Sequence, residues 1–270
     1  MTDNSNKEKN RPIGFMDSGV GGISVLKEAI RVLPNEDFVY YGDSANAPYG
    51  TKTPDEIRDL TFAAVSELMD HDIKALVVAC NTATSSAIRD LRFRYSGMPI
   101  IGIEPAVKPA VVTSRGGRII VMATPMTIRQ RKFRELVSTY ENEADIVPLA
   151  CEGLMEYVEN GTDDREGLMN YLDNMLGPVL TDDTESIVLG CTHYPFIINE
   201  IREYLGDRNI MIIDGSRGTS SHLKQRLADE GLLRDDGHEG SVTILNSSDD
   251  PEKIELCRRL LTKDTQEALK

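Results

Sequence analysis

Residues 76–84, L-V-V-A-C-N-T-A-T, and residues 186–195, S-I-V-L-G-C-T-H-Y-P, share one build. Each is an apolar, β-branched run that reads as a buried strand, followed by a small residue, then a cysteine and a threonine that open a helical stretch. Strands buried on both faces belong to parallel sheets covered by helices. Cys80 and Cys191 are therefore expected in matching settings.

The same alternation extends outward along the chain. Strands are expected at 13–17, 38–41, 75–79, 99–102, 118–123, 145–149, 186–190, 210–213 and 241–245. Amphipathic helical stretches lie between most of them, as at 20–33, 54–70, 127–140 and 217–230. The fold class is α/β, with two similar domains of mostly parallel sheets flanked by helices. Seams are expected at G-I-E-P-A near Glu104 and I-D-G-S-R near Asp214. The first domain is then 11–104 plus the returning segment 215–270, and the second is 105–214. Residues 1–10 read as a polar, disordered tail. Two crossings put a cleft between the domains, and in open α/β sheets ligands bind beyond the carboxyl ends of the strands. Asp17, Cys80, Thr124 and Cys191 are all expected there.

Composition narrows the function. The formal net charge of −14 over 270 residues argues against a nucleic-acid partner, which would need clustered Lys and Arg. A small anionic substrate is still compatible, because salt screens fields beyond about 8 Å and local dipoles decide. No run approaches the roughly 20 apolar residues of a membrane span, so a soluble protein is expected. The four cysteines, Cys80, Cys151, Cys191 and Cys257, lack close paired spacing, and the N-terminal M-T-D-N-S-N-K-E-K-N has no apolar stretch to serve as a signal peptide. Reduced thiols in the cytoplasm are expected.

The segments that carry chemistry then follow. A cysteine at a strand end before a helix feels the positive end of the helix dipole, which lowers a thiol pKa from about 8.5 toward neutrality. Cys80 and Cys191 both have this context; Cys151 and Cys257 do not and read as small buried hydrophobes. A matched pair of acid/base groups suits inversion of a carbon centre, in which one group takes a proton from one face and the other returns a proton to the opposite face. Asn81, Thr82, Thr192 and His193 supply amide, hydroxyl and imidazole groups next to the two thiols, and Thr82 and Thr192 can also act as helix caps. His193, two positions from a reactive thiol, is a natural acid/base partner.

In I-G-F-M-D-S-G-V-G-G (13–22) a strand ends at Asp17 and a turn of small residues lets a ligand approach the backbone. A dinucleotide reading fails there: Ser24 stands where a third glycine belongs, and Asp17 would face a pyrophosphate, although Asp43 sits where a ribose-binding acid would. Y-G-D-S-A-N-A-P-Y-G-T-K-T (41–53) reads as a substrate-facing loop ending at Tyr49 and Gly50, before a helix that Thr53 can cap. Cys191, His193 and Cys80 suit zinc in ligand type but lack metal-site spacing, so no metal is expected. A hydrolase with one cysteine and a histidine would leave the second thiol without a role.

Through G-F-M-D-S-G-V-G-G, P-Y-G, A-C-N-T-A-T, G-I-E-P-A and L-G-C-T-H-Y-P, the chain resembles the glutamate racemases of the cofactor-independent aspartate/glutamate racemase superfamily over nearly all of residues 13–260. That resemblance implies two similar α/β domains facing each other across the active site, commonly in a homodimer. It implies interconversion of L- and D-glutamate without a cofactor, the D form serving peptidoglycan and thus the cell wall and cell shape. By the same route Cys80 and Cys191 would be the two bases, assisted by Asp17 and His193 respectively. Substrate contacts would come from Asp17, Ser18, Tyr49, Gly50, Asn81, Thr82, Thr124, Thr192 and His193. The family pattern C-P-x-x-V-x-x-V-E reads C-E-G-L-M-E-Y-V-E here, which places a further catalytic glutamate at Glu159 and substitutes Glu152 for the proline. In A-T-P-M-T, Met126 stands where the family usually has glycine. Alternatives are a relative acting on another acid such as aspartate, a one-cysteine decarboxylase, and a non-catalytic amino-acid-binding protein.

Overall fold

The computed structural model of the chain describes residues 7–160 and 164–263. They divide into two units: one runs to Ile103 and resumes over Ser216–Leu261, and the other is Glu104–Gly215 with Thr262 and Lys263. Residues 1–6 of the expected tail lie outside the described residues. Residues 7–9 are helical rather than disordered. Lys9 anchors them, since its Nζ pairs with Asp235 at 3.0 Å and its carbonyl accepts from the Lys74 ammonium.

The first unit opens with β1 (Ile13–Asp17), α1 (Ile23–Val32), β2 (Phe38–Gly42), α2 (Pro54–Met69), β3 (Ala75–Val78), α3 (Asn81–Arg94) and β4 (Ile100–Gly102). Every residue of β1 and β3 is buried, as a strand covered on both faces requires. Thr53 caps α2 as expected: its side chain accepts from Glu56 N, the Glu56 carboxylate accepts from Thr53 N, and Pro54 occupies the first turn. This reciprocal box satisfies two orphan donors and fixes where the helix starts.

The second unit contains α4 (Val107–Thr113), β5 (Arg118–Ala123), α5 (Pro125–Arg129), α6 (Arg131–Tyr140), β6 (Asp145–Ala150), α7 (Leu154–Glu159), α8 (Arg165–Leu176), β7 (Thr184–Leu189), α9 (Ile198–Leu205) and β8 (Met211–Asp214). Its sheet is parallel throughout, in the order β6-β5-β7-β8. Pro148 lies in the edge strand β6, where its missing N–H takes no bond from the ladder. One face is packed by Val107, Ala110 and Val111 from α4 and Phe133 from α6 against Ile119, Val121 and Val188. The single helix expected over 127–140 is two helices, because Gln130 takes an extended backbone (φ −66°, ψ 139°) that ends α5 and begins α6.

The chain then returns through α10 (Ser216–Asp229), β9 (Val242–Asn246) and α11 (Pro251–Thr262). Strand β9 pairs in parallel with β2 and completes a five-stranded sheet in the order β4-β3-β1-β2-β9. Asp37 pins this return. Its carboxylate accepts from Ser241, His238 and Arg234, and although burial opposes its charge, the Ser241 and His238 bonds hold its pKa down at about 2.

Both sheets contain one four-strand core: β2-β1-β3-β4 in the first and β6-β5-β7-β8 in the second. The detail repeats as well. Ala79 N donates to Met16 O at 2.7 Å in one sheet, and Gly190 N to Met122 O at 2.7 Å in the other. Likewise Asp43 N donates to Asp17 O and Cys151 N to Ala123 O, both at 2.9 Å. Cys80 and Cys191 thus occupy equivalent positions, each two residues past the end of the third core strand.

Candidate active site

In each core the connection from the first strand runs to one side and that from the third strand to the other, so the strand order switches direction between them. Crevices at such switch points are where open α/β sheets bind ligands. Asp17 ends β1 and Cys80 follows β3; Thr124 follows β5 and Cys191 follows β7. All four lie at the carboxyl ends expected from the sequence.

In the first unit Cys80 itself caps α3, its Sγ accepting from Ala83 N at 3.4 Å. Thr82 was the expected cap; the thiol takes that place because Cys80 keeps extended backbone (φ −125°, ψ 121°) and Asn81 is already helical. The sulfur therefore sits at the positive end of a 14-residue helix. Ser18 Oγ is hydrogen-bonded to Cys80 Sγ at 3.4 Å. Asp17 is buried, and its Oδ1 accepts from Gly19 N at 2.9 Å. Gly22 makes room for it, since a Cβ there would lie 2.7 Å from Asp17 Cβ. Asn81 and Thr82 are buried in the first turn of α3, and Asn81 Oδ1 has no hydrogen-bond partner among the described residues. Such a buried acceptor fits an N–H donor brought by a ligand. Tyr49 and Gly50 are buried in a short 3₁₀ turn, Tyr49–Thr51, that packs against α3.

In the second unit Cys191 Sγ lies 3.7 Å from His193 Nδ1, and His193 Nε2 lies 3.0 Å from Glu159 Oε1. Thiol, imidazole and carboxylate form one chain of contacts. Burial opposes charge on His193, yet the bonds to Cys191 and Glu159 outweigh it and raise the imidazole pKa well above its usual range. A protonated ring donates at both nitrogens, toward sulfur on one side and carboxylate on the other. The helix expected to open at Cys191 is instead a turn at 191–193, then the 3₁₀ segment Tyr194–Ile197, with α9 beginning only at Ile198. Pro195 accounts for the delay, having no N–H to give an α-helical ladder. Gly190 is required where it stands, because a Cβ would come 2.8 Å from Met122 O. Thr192 is buried beside Cys191. Thr124 caps α5 by accepting from Thr127 N, and the two threonine hydroxyls lie 3.0 Å apart.

Two neighbours escaped the sequence reading as partners of this site. Tyr194 OH donates to Cys151 O at 3.2 Å, which braces the turn after Cys191. Asp43 accepts from Tyr49 OH at 2.6 Å. The D-S-A-N spacing, an acid with an amide three residues on, was the available signal for the second. Cys151 is buried, and burial, with a smaller push from Cys191, raises its thiol to about 12. It stays protonated, as a small hydrophobe should. Among the described residues no group of three or more His, Cys, Asp and Glu is placed to hold a metal ion, and no helix is long and apolar enough to cross a membrane.

Comparison with known proteins agrees with this architecture. A glutamate racemase of Clostridium novyi is 54% identical over 251 residues, spanning 93% of this chain and 96% of that protein. The crystal structure of a glutamate racemase isoform from Bacillus anthracis superposes with a TM-score of 0.85 at 31% identity, covering 95% of this chain and 96% of that one. A glutamate racemase from Francisella tularensis, crystallised in complex with D-glutamate, superposes with a TM-score of 0.81 at 26% identity over 96% of both chains. The profile of the family described as Asp/Glu/Hydantoin racemase matches residues 13–219, and with that span matched the chain belongs to this family of isomerases.

Proposed function

We propose that the protein is a glutamate racemase that interconverts L- and D-glutamate by two-base proton transfer, with Cys80 and Cys191 acting on opposite faces of one α-carbon. The observation that carries this reading is the equivalence of the two thiols, each two residues beyond the third strand of a parallel core and each in contact with a polar side chain, Ser18 or His193. A one-base enzyme has no use for the second of them.

One cysteine, as thiolate, removes the α-hydrogen while the other, as thiol, donates a proton to the opposite face; the reverse reaction exchanges their roles. Each productive state then holds one S⁻ and one SH, and like-charge repulsion disfavours the doubly ionised pair. Charge left on the substrate is met by the α3 N-terminus at Asn81 and Thr82 and by the hydroxyls of Ser18 and Thr192. Asn81 Oδ1 accepts from the substrate ammonium. Asp17 supports proton transfer at Cys80, and the Glu159–His193 pair does so at Cys191. Tyr49, Gly50 and Thr124 complete the substrate contacts. The reaction draws on no cofactor. D-glutamate made this way serves peptidoglycan, in the cytoplasm, from a homodimer.

Time-resolved circular dichroism on D-glutamate should show full decay to the racemic signal, unaffected by hydroxylamine or a chelator, with D-aspartate unchanged. Inversion of D-aspartate in preference to D-glutamate would reassign the substrate, and loss of activity with either reagent would contradict the mechanism.

The His193 contacts give a pH prediction. Protonated His193 donates toward Cys191 Sγ, so activity that depends on that donor is retained below the raised imidazole pKa and lost as pH rises through it. Glu159→Gln removes one of the two groups that raise that pKa. The alkaline limb of the kcat profile should therefore move to lower pH, with kcat at neutral pH reduced by about tenfold to a hundredfold. An unshifted limb would exclude His193 from the titration.

A further inference from the structure

One buried carboxylate of the first unit is left without a role by this mechanism. Asp43 follows β2 and is almost wholly buried. Its Oδ2 accepts from Tyr49 OH at 2.6 Å, and Asn46 Nδ2 donates to Oδ1 at 2.9 Å and to Oδ2 at 3.2 Å. Its own N–H donates to Asp17 O at 2.9 Å, so the carboxylate is tied by backbone to the strand end that carries Asp17. A buried carboxylate is costly unless fully hydrogen-bonded, and these side-chain bonds both go to the loop that carries Tyr49 and Gly50. Tyr49 opens the 3₁₀ turn packed against α3, the helix that Cys80 caps, and its phenol is near enough to Cys80 and Asp17 to feel their charge. Burial and the Asp43 bond raise the phenol pKa far above its usual range. Tyr49 therefore stays protonated, with its proton committed to Asp43.

We propose that Asp43 is a positioning residue for racemisation, clamping Tyr49 and Asn46 so that the turn at residues 48–50 stands fixed beside Cys80. This rests on the function proposed above. The Tyr49 hydroxyl is then a strut; it neither donates to the substrate nor takes part in proton transfer, and the loop meets the substrate through its other groups. Asp43 and Tyr49 should accordingly act as one unit in binding.

Steady-state kinetics on Asp43→Asn, Tyr49→Phe and the double variant test this, together with hydrogen–deuterium exchange over residues 44–52. Loss of a charge-assisted hydrogen bond should raise KM for glutamate about tenfold in each single variant, with kcat changed less than about threefold. The double variant should be no worse than either single one, and exchange over 44–52 should quicken in Asp43→Asn. A merely structural role would lower the active fraction, and hence kcat, with KM unmoved. That result, or a KM effect of about a hundredfold in the double variant from two independent losses, would overturn the proposal. Wild-type protein that does not racemise glutamate would instead contradict the function proposed above, while faster exchange over 44–52 would still support the clamp.

Discussion

Replacing either Cys80 or Cys191 by serine should lower kcat for glutamate racemisation on the order of 10³-fold in both directions. The fold gives no reason for a structural loss. Serine is close to cysteine in size, and at position 80 it is among the preferred helix caps, so it can take over the bond from Ala83 N that Sγ accepts. What it cannot supply is a thiol, whose proton leaves far more readily than a hydroxyl's. A hydroxyl at either position still fills space and accepts hydrogen bonds, but it does not remove an α-hydrogen. Cys151→Ser is the control: burial pushes the Cys151 thiol up to about 12, and activity should survive its replacement. Thermal unfolding of all three variants near the wild-type midpoint would assign the losses at 80 and 191 to chemistry.

The second large effect falls on stability. Lys74 and Glu36 form an ion pair at 2.5 Å with both side chains almost wholly out of contact with solvent. Burial lowers the Lys74 pKa against the opposing pull of Glu36. The pair is also a tie point, since Lys74 Nζ donates to the carbonyls of Lys9 and Leu232, and Glu36 Oε1 accepts from Arg234 N. It thus joins the start of β3 to the segment before β1 and to the loop between α10 and β9. Removing one partner strands a buried charge, and Glu36→Leu or Lys74→Met should each cost about 3–5 kcal/mol, read from the urea midpoint at unchanged m-value. In the double variant neither charge is left alone, so much of the loss should be recovered. A double variant with the sum of the two losses would show that the hydrogen bonds to the loops, and not charge pairing, set the cost.

Where the sequence was legible, the physics was local. The runs at 13–17 and 118–123 have the same bounds as β1 and β5 because a continuous apolar stretch bordered by turn formers admits little else. The cap at Thr53 followed from its place just before the helix, and the structure adds Glu56 as its reciprocal partner. The helix expected to open at Cys191 begins only at Ile198, because Pro195 blocks the ladder and the chain uses a 3₁₀ turn first. The break at Gln130 had no signal in its own neighbourhood. The site divides in the same way. Asp17, Cys80, Thr124 and Cys191 followed from strand ends alone, whereas Glu159 came only from the family pattern. Nothing local links it to His193, 34 residues away; the sheet order that brings α7 to the turn after β7 does so. Asp43 was visible as an acid ending a strand, but its partners Asn46 and Tyr49 pointed to a clamp rather than to a ribose.

The central claim is that two different sulfurs serve the two faces of one carbon. The most direct measurement is α-deuterium wash-in from D₂O, with Cys80→Ser and Cys191→Ser each given L-glutamate and D-glutamate separately and followed by NMR. Each variant should exchange the α-hydrogen of one enantiomer only, and the two variants should select opposite enantiomers. Equal exchange of both enantiomers by both variants would contradict the assignment.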